Sequence, residues 1–167
     1  TFFGTVDKTL GVSITNARLG VVLLNIGGVS GYALSASGDT ALIGVPLITL
    51  TGSLAVKVNA TGMILNESVA VGTEGDRVDI IFTRVDDVQQ LLGEIHLEIA
   101  GFVTLDGEFG FEKSELDGNT RLLIGAANVD VFLGTQDQSM GVSVTNGELG
   151  MILLKNATGE SSFAITA

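Results

Sequence analysis

One tract of this chain occurs twice, and no other feature limits the fold as much. Phe2–Asn25 aligns with Phe132–Lys155 without a gap, and 13 of the 24 positions are identical. Several of the others are close swaps, such as Ile14 for Val144 and Leu10 for Met140. After one inserted residue, Tyr32-Ala33-Leu34-Ser35-Ala36 returns as Phe163-Ala164-Ile165-Thr166-Ala167. Self-similarity at a fixed offset is the mark of a tandem repeat. Residues 1–130 read as one period. Residues 131–167 read as the start of a second copy, or as a segment used in assembly. Thr1 falls inside a repeat and inside an expected strand, so the chain reads as processed or cut from something longer.

The period itself reads as β-structure. Thr, Val and Ile are abundant, Pro occurs once and Gly 23 times, a mixture that favours strands joined by Gly, Asn and Asp turns. From Val103 to Glu112 the chain alternates strictly. Val103, Leu105, Phe109 and Phe111 take one parity; Thr104, Asp106, Glu108 and Glu112 take the other. Period two with one polar face marks a half-buried strand, and such sheets are usually antiparallel. The apolar set is therefore expected to be buried. Leu54, Val56 and Val58 alternate with Ala55, Lys57 and Asn59, and Ile95, Leu97 and Ile99 with Glu94, His96 and Glu98.

Asn146-Gly147, Ser37-Gly38-Asp39 and Asp117-Gly118-Asn119 carry hairpin signals. Residues 71–77 form the best loop. Gly52 and Gly107 sit on the apolar parity, where a long strand is expected to turn a corner. The one helix expected covers 87–92: Asp87 can cap it, Val88, Leu91 and Leu92 share a face, and Gly93 can end it. The fold expected is all-β and mostly antiparallel, a sandwich, jelly-roll-like unit or flattened barrel. A β-solenoid is the alternative; the hairpin signals and the lack of a short coil period count against it.

Composition narrows the partners. The formal net charge is −11, which opposes nucleic acid and anionic membranes. Mean hydropathy is +0.50, yet glycine and polar residues break every apolar run before it reaches the length of a membrane helix. With no Trp and one Tyr, the chain lacks both an aromatic platform for sugar or single strands and the girdles of an outer-membrane barrel. No membrane insertion is expected. Cys is absent, so there is no disulfide framework.

Chemistry is sparse. There is no Gly-x-Ser-x-Gly elbow, phosphate loop or Gly-x-Gly-x-x-Gly. The single histidine, His96, stands between Glu94 and Glu98 on one strand face, a spacing suited to a divalent metal; a solvated strand face is the simpler reading. Glu74, Asp76 and Asp79 are the leading acidic-loop set for structural calcium, without a known calcium-loop spacing. Asn59, Asn66 and Asn156 head glycosylation sequons, and Asn59 falls on the outward parity. No catalytic residue and no cofactor is expected, and the chain does not read as an enzyme.

In its long, Cys-free, acidic, Gly/Thr/Val-rich repeat, the sequence resembles the tandem β-repeats of giant secreted or cell-surface bacterial proteins, such as adhesin stalks and extracellular fibres. The resemblance spans the whole chain and brings no site residues with it. It implies export, a mechanical or matrix role and, in some members, calcium. The expected function is a structural subunit that assembles with copies of itself, head to tail, by β-strand addition. The alternative is an adhesin module that binds a carbohydrate or a receptor.

Overall fold

The computed structural model describes residues 1–167. It contains eleven strands and no helix: β1 (Phe2–Gly4), β2 (Gly11–Ile26), β3 (Val29–Ile43), β4 (Ile48–Ala60), β5 (Leu65–Val71), β6 (Asp76–Phe82), β7 (Asp87–Ile99), β8 (Val103–Leu116), β9 (Asn119–Gly134), β10 (Gly141–Lys155) and β11 (Ser161–Thr166). Nine of them form one sheet in the order β1-β2-β3-β4-β7-β8-β9-β10-β11. Every pairing is antiparallel. The all-β, antiparallel expectation holds. The sheet is an open meander, not closed into a barrel, and its only second layer is the β5–β6 hairpin.

Register divides the sheet into two chemically opposite faces, because directly paired residues point the same way. One level runs Leu50, Leu97, Leu105, Val131, Val144. The neighbouring level, on the other face, runs Thr51, His96, Asp106, Asp130. The first face is apolar from β2 to β11. The second carries most of the strand charge together with many small residues; on the first, Asp87, Lys113, Glu115 and Lys155 gather at one end.

The hairpin lies on the polar face, over β2 and β3. There Ala33, Leu65, Ile80 and Phe82 form the one buried cluster, with Val22 and Leu24 against it. Gly20 makes this approach feasible: a Cβ there would lie 2.9 Å from Val78 Cγ1 and 3.0 Å from Ile80 Cδ1. The hairpin covers part of the polar face, and the apolar face has no cover. Only 11 of 167 residues are buried. The accessible surface is 10832 Å², whereas a folded monomer of this mass exposes about 7,800 Å².

Several expectations change accordingly. Val103, Leu105, Phe109 and Phe111 do share a face, but they are half-exposed rather than buried, and Phe111 is 42% exposed. Alternation shows which face is apolar, not what covers it. Residues 87–92 are strand, the start of β7. Pairing with β4 on one side and β8 on the other outweighs a weak local helix signal.

Asn146-Gly147 is not a hairpin turn. It is a bulge inside β10, with Asn146 at φ 53°. Asn16 (φ 49°) makes the matching bulge in β2, and Asn128 (φ 52°) one in β9; Asn tolerates this left-handed region better than most residues. Ser37-Gly38-Asp39 lies within β3. Asp117-Gly118 does turn β8 into β9, both residues having positive φ. Gly52 turns no corner. It faces a close backbone, because a Cβ there would collide with the Glu94 carbonyl.

The hairpin hangs on few side chains, so Ile80→Ala should loosen it locally. The expected loss is about 2–4 kcal/mol of hairpin protection, read by hydrogen exchange of the Val78–Phe82 amides, with β7–β9 unchanged.

Candidate functional site

The molecule's main grooves open on the polar face. The central one, 720 Å³, crosses from β2 to β10 along a floor of small residues that includes Ser37, Ala55, Gly110 and Gly125. Asp39, Glu94 and Glu108 line it as acids and Arg18 as the base. Small side chains at one level of adjacent strands leave the trough; the strand register brings those positions into line. A second hollow of 890 Å³ lies at the far ends of β8–β11, between Arg84, Arg121, Lys155 and Glu160.

The best-organised polar cluster lies between these grooves. Arg84 Nη2 donates to Glu112 Oε1 at 2.6 Å and Arg121 Nη2 to the same oxygen at 3.1 Å; Gln90 Nε2 donates to Oε2 at 2.7 Å. Arg84 Nε also meets Asp86 at 3.2 Å. Partial burial raises the Glu112 pKa, but the Gln90, Arg84 and Arg121 donors outweigh it and hold the carboxyl below the usual glutamate value. The cluster ties the segment that leaves the hairpin to β7, β8 and β9. All its members are engaged with one another, which suits a structural clamp. Sequence reading did not select it; the signal was polar parity at Gln90, Glu112 and Arg121 on strands whose order was unknown.

The selected residues are scattered. Glu94, His96 and Glu98 share the polar face of β7, and their cross-strand neighbours on β8 are Glu108, Asp106 and Thr104. His96 Nδ1 lies 2.6 Å from Asp106 Oδ1, a partner on a strand that local spacing could not supply. Glu74 sits in the hairpin turn, and Asp76 opens β6 and reaches Arg18 at 4.0 Å. Asp79 accepts the Ser68 hydroxyl at 2.6 Å. No group of three or more His, Asp or Glu side chains is placed to hold a metal.

Asn59 is 1% exposed. It donates to the Met63 carbonyl and accepts from Thr61, so the expected outward sequon is closed to sugar. Its parity was the polar one, and the chain after β4 folds over that face. Asn66 and Asn156 are exposed.

The repeat carries its own polar device. In Thr5–Leu10 the Thr5 hydroxyl and the Asp7 carboxylate bind the turn: Asp7 Oδ1 takes the Thr9 hydroxyl at 2.8 Å and its amide at 3.2 Å. Thr135–Met140 repeats this, Asp137 taking the Ser139 hydroxyl at 2.8 Å and amide at 3.1 Å. The Thr135 and Ser139 hydroxyls and the Ser139 amide hold Asp137 down at about 2. Asp7 is lowered in the same way by Thr5 and Thr9.

No known protein family, curated protein or solved structure matches the chain.

Two predictions follow from these carboxylates. A depressed pKa means that the turn's contribution is full above the unfolded value near 4 and fades as pH falls through about 2. Carboxyl NMR titration should therefore show Asp137 ionised at pH 3; a midpoint near 4 would contradict the geometry. Glu112→Gln should lower unfolding free energy by about 1–2 kcal/mol in urea, with the Arg84 segment the first to lose exchange protection.

Proposed function

We propose that this chain is a structural repeat of an extracellular fibre or matrix, built as a sheet that continues from copy to copy by strand addition. The observation that carries this reading is the recurrence of register at the two edges. On one edge Phe2, Phe3 and Gly4 pair with Ser13, Val12 and Gly11. Inside the sheet Phe132, Leu133 and Gly134 pair with Ser143, Val142 and Gly141. On the other edge Gly150–Lys155 pairs with Thr166–Ser161 as Gly20–Asn25 pairs with Ser35–Ser30. Each edge thus has the geometry of an interior position of the same sheet. The inserted residue of the second copy falls in the β10–β11 turn, where it leaves the ladder undisturbed.

The apolar face supports the same reading. An excess of about 3,000 Å² over a globule of this mass equals what obligate assemblies cover. In the fibre a second sheet packs against that face at about 10 Å, and the charge stays on the outside. The resemblance to secreted repeats supplies the extracellular setting. The crowded, self-paired polar clusters favour a scaffold over a catalyst.

One observation favours a second reading, the wall of a membrane β-barrel. Between Ile124 and Leu133 the apolar face carries no charge on any strand. At about 3.3 Å per residue this band approaches the height of an outer-membrane barrel's lipid belt.

Light scattering and micrographs of the purified chain decide between the readings. The fibre reading expects mass that grows with concentration, elongated particles and a meridional reflection near about 4.7 Å. A 17.2 kDa species at every concentration overturns it. Flotation with neutral phosphatidylcholine vesicles, without fibres, selects the barrel wall.

A further inference from the structure

We propose that the apolar face is covered by the same face of a second copy, the two sheets being related by a two-fold axis parallel to the strands and placed between β8 and β9. This rests on the fibre reading above and names the sheet that packs on that face. The face is open in the middle of the sheet. β7, β8 and β9 have a strand on both sides, yet Leu91 is 41% and Phe111 42% exposed. Leu91, Phe111, Ile124 and Met151 stand in one row across β7 to β10.

Charge sets the direction of the axis. Asp87, Glu115, Thr120 and Lys155 form the row at one end of the face. Ile99, Val103, Leu133 and Val142 form the row at the other end. A two-fold axis across the strands would lay the charged row of each copy on the apolar row of the other, and charges would be buried without partners. An axis along the strands lays every row on itself and keeps the charged ends together at the rim. It also matches the aligned packing of sandwiched sheets.

Side-chain size sets the position of the axis. Between β8 and β9, it brings β8 over β9 of the second copy and β7 over β10. Phe109 and Ala126 share one row, so Phe109 then faces Ala126 of the second copy. Ile95 pairs with Gly107, Gly107 lies against Val129, and Val129 pairs with Gly147; Ile95 therefore faces Gly147 of the second copy. Large residues meet small ones, and Asp87 faces Lys155. An axis on β8 would set Phe109 on Phe109 and Glu115 on Glu115. An axis on β9 would set Ala126 on Ala126 and Phe109 on Leu149. The overlap spans β4 to β11 in sheet order and the rows from Ile99 to Leu91. At roughly 4.8 Å per strand and 3.3 Å per residue it covers about 1,500 Å² over the two copies, the size of a stable interface.

The chain has no cysteine, so one introduced thiol reports the pairing. Thr120 lies on the apolar face of β9, beside the axis. In the pair the two copies of position 120 stand on the order of 11 Å apart, from a sheet spacing of about 10 Å and one strand of offset. Growth at the edges alone keeps them a full copy apart, on the order of 40 Å. A short bismaleimide should therefore join Thr120→Cys into a dimer and leave Glu108→Cys, on the polar face of β8, monomeric on denaturing gels. In the Thr120→Cys background, Asp87→Lys and Lys155→Asp should each weaken pairing about tenfold, because each change acts at both ends of the two-fold. The two together should restore it. Far-UV circular dichroism checks that each variant keeps the parent's strand signal. Growth by scattering without a Thr120→Cys dimer overturns the pairing and leaves the fibre reading standing. A Thr120→Cys dimer in particles that stay at twice the chain's mass upholds the pairing and overturns the fibre. Equal joining of Glu108→Cys, or a charge swap as weak as its single changes, overturns the pairing. So does flotation with phosphatidylcholine vesicles in the absence of any dimer.

Discussion

The structure depends on the coupling between strand register and side-chain direction. Successive residues of a strand point to opposite faces, so a one-residue slip would exchange the apolar and polar sets. In this protein one face gathers Leu, Val, Ile and Phe from nine strands while the other gathers acids, Gly, Ala and Ser. Each interior strand is thereby fixed by both neighbours, and the bulges at Asn16, Asn128 and Asn146 each absorb one extra residue, so that the faces stay continuous while the sequence parity switches. The sheet is well specified as a sheet without having a core of ordinary size.

That combination gives the molecule its incomplete character. A domain of this length normally buries one layer against another. Here the β5–β6 hairpin covers only a patch around Ala33 and Ile80. The equivalents of that patch in the second copy, Gly150, Ile152 and Ala164, have no hairpin over them. On the proposed reading, the strand charge gathered on the polar face would hold copies apart there and leave the apolar face for contact. An apolar face left open beside it is the feature on which the proposed association rests.

Much of this was legible in the sequence. The Phe2–Asn25 repeat returned as repeated pairing, and the alternation from Val103 to Glu112 assigned faces correctly. What failed did so where local signals compete with long-range pairing. Val88, Leu91 and Leu92 fit a helix until β4 and β8 claim them. Asn146-Gly147 fits a turn until β9 extends past it. The Glu112 clamp and the His96–Asp106 pair join residues on different strands, so no local spacing could show them. Asn59 looked outward by parity and is closed in by the chain that follows β4, a long-range effect of the same kind.

Hydrogen exchange along the two open edges tests the central claim most directly, because it reads the bonds by which the sheet continues. Between dilute and concentrated solution, the account predicts slowed exchange at alternate amides of Gly20–Asn25 and Ser161–Thr166, with the interior strands β4, β7 and β8 unchanged. Edge amides that exchange equally fast at every concentration, while the particles grow, would contradict a sheet that continues from copy to copy.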